Sequence, residues 1–208
     1  LKINLVTTFI GRNKNLNITD NLELAENVWK PILEYAESLN VKIAIENCPM
    51  LFTEDEWPGG KNIAVSPAIW RELFKRLPSE YLGLNFDPSH FIWQEMDYIR
   101  PLYEFKDKIF HVHYKDIRVD KEARNEVGVL ATPLSYMVPC IPGHGDVNWA
   151  RYISALLEIG YQGAACIEVE DKSFEDNNEN IEHSLKISRQ YLKQFIHFPE
   201  KGRQYAKD

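Results

Sequence analysis

No apolar run in this sequence is long enough to span a bilayer. The longest, such as Val41 to Ile45 and Ala164 to Ile167, are strand-sized, whereas a membrane helix needs roughly 20 such residues. A membrane is not an expected partner. Cysteine is scarce: Cys48, Cys140 and Cys166 are odd in number, far apart and form no C-x-x-C pair, which argues against a disulfide framework or a thiolate zinc site and for a reducing, cytoplasmic location. The start, Leu1-Lys2-Ile3-Asn4-Leu5-Val6, has neither a signal peptide's basic region and apolar core nor an initiator Met, so residue 1 is not expected to be the native start. Basic charge is in deficit, with 24 Lys and Arg against 31 Asp and Glu and a net charge of -7. The densest basic stretch, Lys115, Arg118, Lys121 and Arg124, is diluted by Asp116, Asp120 and Glu122. Nucleic acid is therefore not an expected partner. A glycine-rich phosphate cradle is missing too, so a phosphorylated substrate has no advantage over a plain one.

What is present is ordinary globular composition, 44% hydrophobic and 26% charged over 208 residues, which predicts one domain over 1–208 with a real core. Helical spacing of Leu22, Ala25, Val28, Trp29, Ile32, Leu33, Ala36 and Leu39 predicts a helix from about Asn21 to Leu39, with Asp20 and Glu23 as a capping box and a bend at Pro31. Further helices are expected from Ser66-Pro67 to Leu77, Asp97 to Phe105, Asn148 to Ile159, and Asn178 to Ile196. Between them lie six β-rich runs: Ile3 to Phe9, Val41 to Glu46, Tyr81 to Asp87, Lys108 to Tyr114, Tyr136 to Ile141, and Ala164 to Val169. Strand and helix in alternation predict a parallel α/β fold. Two long irregular segments, Asn47 to Val65 and Lys115 to Ser135, begin at strand C-terminal ends, where loops of that length are usually functional.

Strand parity then distinguishes a barrel from an open sheet, because one barrel face meets helices and the other fills a narrow interior. Val41, Ile43 and Ile45 oppose Lys42, Ala44 and Glu46; Leu82, Leu84 and Phe86 oppose Gly83, Asn85 and Asp87. Phe110, Val112 and Tyr114 oppose Ile109, His111 and His113, and Ala165, Ile167 and Val169 oppose Ala164, Cys166 and Glu168. Glu46, Asp87, His113 and Glu168 thus converge at the C-terminal mouth of a parallel (β/α) TIM-type barrel. Three carboxylates and one imidazole suit a single divalent ion, Mn²⁺ first, with Mg²⁺, Co²⁺ or Zn²⁺ as alternatives.

The motifs Ile45-Glu46-Asn47-Cys48-Pro49-Met50, Asp87-Pro88-Ser89-His90, His111-Val112-His113-Tyr114-Lys115-Asp116, Pro142-Gly143-His144-Gly145-Asp146 and Ile167-Glu168-Val169-Glu170-Asp171 resemble the xylose isomerase-like superfamily, most closely its sugar phosphate isomerase/epimerase branch. The resemblance runs from about Ile3 to Ile196. It implies that Glu46, Asp87, His113 and Glu168 bind one divalent metal, with His111 as the alternative ligand to His113. It also implies proton transfer beside a carbonyl through a metal-stabilised enediolate, with Glu46 and Glu168 moving the proton. The family barrel has eight strands, so a chain with six that begins at the third implies an incomplete barrel, either a fragment or one completed by homo-oligomerisation.

His90, His111, Lys115 and Asp116 are candidates for substrate contact or for orienting ligands, with Arg118 weaker and His144 expected to be exposed. Trp57, Trp93 and Trp149 either line a sugar-binding rim or pack internally. The expected partner is a small sugar or polyol. A polyol or inosose-type dehydratase would use the same groups, and a non-catalytic truncated barrel would keep the motifs without turnover. An apurinic-site endonuclease is disfavoured, because Met137 and Pro139 stand where its Asp-x-His pair would be.

Overall fold

A computed structural model describes residues 3–51 and 59–196. Five parallel strands, β1 (Leu5–Thr8), β2 (Lys42–Glu46), β3 (Leu82–Phe86), β4 (Ile109–Tyr114) and β7 (Ala164–Ile167), form one sheet in that order, curled into a half-barrel. Helices α1 (Ile18–Ser38), α2 (Pro67–Arg76), α3 (Ser89–Ile92), α4 (Arg100–Glu104), α6 (Trp149–Glu158) and α7 (Asn178–Leu192) follow the strands. Their apolar stripes meet the outer face of the sheet in a core that includes Trp29, Ile43, Trp70, Leu84, Phe86, Val112 and Trp149. Trp70 anchors it, edge-on to Phe86, Phe91 and Phe105, with its Nε1 donating to Ala64 O at 2.7 Å.

Several local expectations need correction. The sixth expected strand forms, as β6 (Met137–Cys140), but pairs antiparallel with β5 (Asp116–Val119) in a separate ribbon that precedes and follows α5 (Lys121–Val127). The barrel sheet therefore holds five strands, not six; an isolated β-rich run carries no information about its partner. Helix α1 starts earlier than expected, because Asn17 rather than Asp20 is the cap, accepting from Asp20 N at 2.9 Å. It runs on through Pro31. Ser66 caps α2 without a side-chain hydrogen bond. Strand β4 carries a bulge: Leu84 pairs with Ile109 but Asn85 with His111, so Ile109 joins the outer core and Phe110 turns to the Gly83 face. A Cβ on Gly83 would lie 2.5 Å from the Phe110 ring, so glycine is needed there.

Among the described residues the sheet has two open edges. At one, Val6 of β1 is exposed; Leu24, Val28, Ile32 and Tyr35 of α1 and its C-cap Leu39 are exposed as well. At the other, β7 borders an apolar cleft of about 870 Å³ lined by Tyr114, Leu156, Tyr161, Ile167, Leu192 and Phe195, among others. No helix among the described residues is long and apolar enough to cross a membrane.

Candidate metal centre

The C-terminal ends of β2, β3, β4 and β7 deliver the four predicted ligands to one point. Glu46 is the last residue of β2, Asp87 follows β3, His113 lies in β4, and Glu168 follows β7, its N–H donating to Tyr114 O at 3.2 Å. One donor atom from each lies within 4.8 Å of the others. His113 Nδ1 stands 3.2 Å from Glu168 Oε2, 3.6 Å from Glu46 Oε1 and 4.0 Å from Asp87 Oδ2. Asp87 Oδ2, His113 Nδ1 and Glu168 Oε2 are buried and, apart from ion-pair contacts with one another and with Lys115, none has a partner in hydrogen-bond geometry. Buried polar atoms are rarely left so, because each forfeits its hydration. Three aimed at one centre fit a divalent cation with oxygen and imidazole donors.

Neighbouring amides hold this arrangement. Asn47 bridges the ends of β2 and β3, its Nδ2 donating to Asp87 O at 2.9 Å and its Oδ1 accepting from Asp87 N at 2.8 Å. Ser89 N donates to Asp87 Oδ1 at 2.8 Å, which leaves Oδ2 turned to the centre. Asn62 Nδ2 donates to Glu46 O and Cys48 O at 2.8 and 2.7 Å. Asn85 lies 3.0 Å from His113 Nε2 through Nδ2 and 2.8 Å from His111 Nδ1 through Oδ1. A carboxamide can present either face: with a cation on Nδ1, the His113 proton sits on Nε2, so Asn85 turns Oδ1 to it and donates Nδ2 to His111. His111 is thus held one level deeper in the interior, outside the ligand group. Asn85 shares the inward parity of Asp87 and Asn47 follows Glu46, so both carried a sequence signal; Asn62, in an irregular loop, carried none.

Charge in the centre is strongly perturbed. Lys115 is 2% exposed and its Nζ lies 3.3 Å from Asp87 Oδ2, 3.1 Å from Glu168 Oε2 and 3.4 Å from Glu170 Oε2. Burial would favour the neutral amine, but these carboxylates hold it protonated far above the usual lysine range. Burial likewise works to raise the Glu168 carboxyl, yet His113 and Lys115 beside it bring it down to about 2. His113, against its burial, is raised to about 10 by Glu168 and Glu46. Glu46 is raised, chiefly by burial. Burial works to raise the Asp87 carboxyl, but Lys115, His90 and the Ser89 N–H together lower it. Burial drives His90 down to about 3, leaving it neutral; its Nε2 is 3.3 Å from Asp87 Oδ2. His90 and Lys115 therefore border the ligand group, where the sequence placed them.

Asp116 does not. It is fully buried, its Oδ1 accepts from Ile117 N and Val147 N, and its Oδ2 accepts from Gly143 N and Trp149 Nε1, at 2.8 to 3.0 Å. Both oxygens are committed to the Gly143–Trp149 turn, which corrects the expectation of substrate contact. Gly143 has φ +96°, and a Cβ on Gly145 would lie 2.4 Å from Asp116 Oδ1, so both glycines are required by this turn. Trp149 packs edge-on to Tyr114, and Trp93 is buried with Ile117, Val119 and Tyr136, so neither forms a rim. Arg118 and His144 are exposed. Trp57 lies outside the described residues.

The profile of xylose isomerase-like TIM barrels matches residues 1–191. The chain belongs to this family. An uncharacterized protein of Bacillus subtilis strain 168, YfiH, is 30% identical over 180 residues, which cover 81% of this chain and 51% of YfiH. An inosose dehydratase of Lactiplantibacillus plantarum is 27% identical over 117 residues, 55% of this chain and 38% of that protein. The chain thus spans about half the length, or less, of these curated relatives. Among solved structures, a D-tagatose 3-epimerase-like protein aligns with a TM-score of 0.61 and 20% identity over 92% of this chain and 62% of its own. The zinc-bound IolI protein aligns at 0.66 and 18% identity over 93% and 64%. These two structural likenesses support the barrel-type fold of the family.

Proposed function

We propose that this chain carries the metal-binding and proton-transfer centre of a sugar isomerase or epimerase that acts on the carbon beside a carbonyl. The observation that carries the reading is the convergence of Glu46, Asp87, His113 and Glu168, three of them with buried atoms lacking hydrogen bonds. These four would hold the ion, Mn²⁺ in preference to Mg²⁺, Co²⁺ or Zn²⁺, because three of the donors are hard carboxylates. When bound, such an ion supplies Lewis-acid polarisation of a substrate oxygen. Glu168, kept ionised by Lys115 and His113, is placed to take the proton from carbon. Glu46, the other carboxylate of the pair, would return one through an oxygen not bound to the ion. His90, neutral and buried at the centre's edge, orients a substrate oxygen. The ligand would be a small sugar or polyol; the net charge of -7 disfavours a nucleic acid.

A dehydratase reading shares the first step and differs in expelling a hydroxyl afterwards. It is favoured by the named inosose dehydratase relative and by Lys115, an ammonium beside Glu168 that can hydrogen-bond a leaving hydroxyl. Incubation with ketoses, inososes and hydroxypyruvate in D₂O, with Mn²⁺, separates the readings. Deuterium gained at the carbon beside the carbonyl, with the carbon skeleton's hydroxyls retained, is the expected isomerase result; loss of water marks the dehydratase. About one ion per chain in the wild type, lost in Glu168→Gln, is expected from elemental analysis. No ion bound and no exchange would overturn both.

A further inference from the structure

Beside the carboxylate-rich centre lies a second set of donors of different chemical character. Glu46 and Cys48 are two residues apart on extended chain, so their side chains share a face. Asn62 pins the backbone between them through Glu46 O and Cys48 O. His90, from the end of β3, completes a trio whose donor atoms lie within 4.8 Å of one another. His90 is only 7% exposed, and neither Nδ1 nor Nε2 has a partner in hydrogen-bond geometry, although Nε2 lies 3.3 Å from Asp87 Oδ2 and 3.8 Å from Glu46 Oε1. A neutral imidazole carries one N–H and one lone pair; here the lone pair is buried and unused. Cys48 Sγ receives one weak contact, from Met50 N at 3.4 Å, so its remaining lone pairs are free.

We propose that Glu46, Cys48 and His90 form a second cation position, sharing Glu46 with the first, that takes a thiophilic divalent ion of the zinc or cobalt type and rejects manganese and magnesium. A carboxylate and a thiolate supply two negative charges for a divalent ion, and the imidazole adds a neutral donor. Thiolate and imidazole together select zinc and cobalt over the hard ions that suit the neighbouring carboxylates. A shared carboxylate is how paired ions a few ångströms apart are held in two-metal sites. Spacing along the chain hides this position, because its histidine comes from a different strand. It deepens the metal chemistry of the first centre without requiring the proton-transfer reading, and an ion held there takes His90 away from the substrate oxygen.

The test is a Co²⁺ titration of the whole chain, stripped with chelator. The first equivalent is expected to give visible d–d bands alone, and the second a thiolate-to-cobalt charge-transfer band in the near ultraviolet. Mn²⁺ is expected to stop at one equivalent. Cys48→Ser loses the charge-transfer band and keeps the first-equivalent spectrum. In the wild type, Zn²⁺ but not Mn²⁺ abolishes alkylation of Cys48, read by mass spectrometry, while labelling of Cys140 and Cys166 does not change. A titration without a thiolate band, a band that survives Cys48→Ser, or equal Cys48 labelling with Zn²⁺ and Mn²⁺ each overturns the proposal. If Cys48→Ser also loses the first spectrum, the wild-type labelling decides. One Mn²⁺ bound without Zn²⁺ protection removes the second position only; Zn²⁺ protection without Mn²⁺ binding removes the first.

Discussion

Lys115 Nζ stands 3.1 Å from Glu168 Oε2, joining the chain that leaves β4 to the carboxylate that follows β7. The same ammonium is 3.3 Å from Asp87 Oδ2, so a buried cation already sits among the acids that a metal would bind. Removing it leaves Asp87 and Glu168 with the His113 imidazolium as the cation between them. Lys115→Met is expected to destabilise the metal-free chain by about 3 kcal/mol, and Mn²⁺ to recover more stability in the variant than in the wild type, because the ion restores the lost charge. Thermal unfolding with and without Mn²⁺ measures both; equal Mn²⁺ gains would place Lys115 outside the electrostatics of the centre.

Stability against pH differs between the metal-free and loaded states. His113 is raised from 6.5 to about 10, so its contribution is complete below pH 6.5 and disappears as pH rises through 10. Glu168 is lowered from 4.5 to about 2, so its contribution is present above 4.5 and disappears as pH falls towards 2. The metal-free chain is therefore expected to gain most from this pair between pH 4.5 and 6.5. A metal ligand must be unprotonated, so loading releases the His113 proton and removes the alkaline decline. Denaturant midpoints from pH 4 to 10 at saturating Mn²⁺ and with chelator, flat on the alkaline side in both states, would contradict this.

Asp116 has a structural role that an isosteric change exposes. Asp116→Asn keeps the size but turns an NH₂ towards two donors, either Gly143 N with Trp149 Nε1 or Ile117 N with Val147 N. The expected cost is about 2 to 4 kcal/mol from buried donors left unpaired, with one Mn²⁺ still bound per chain. A normal melting temperature combined with a raised KM would instead return Asp116 to substrate contact.

The open edges predict association of this chain in solution. Val28, Ile32 and Tyr35 form an exposed apolar stripe on α1, and β1 is an edge strand among the described residues; both surfaces draw self-contact. Sedimentation is expected to show association that rises with concentration and is reduced by Val28→Lys with Tyr35→Lys. Those changes should alter stability by no more than about 0.5 kcal/mol, whereas Leu33→Ala, on the buried face of the same helix, should cost about 2 to 5 kcal/mol. A monomer at every concentration would contradict the association.

By itself the sequence determined whatever depends on local periodicity. The two-residue repeat of a strand put Glu46, Asp87, His113 and Glu168 on inward faces, and the helical repeat placed the Leu22, Trp29 and Leu33 stripe against the sheet. Tertiary structure decided what depends on partners distant in the chain. Met137–Cys140 is equally good strand in a barrel or a ribbon until Asp116–Val119 pairs with it, and the β4 bulge arises only in register against β3. Asp116 became structural because donors from one to 33 positions along the chain fill its oxygens. Cys48 and His90 came together because β2 and β3 are neighbours in the sheet. Side-chain period is a property of the backbone alone, whereas hydrogen-bond satisfaction is a property of the assembled fold.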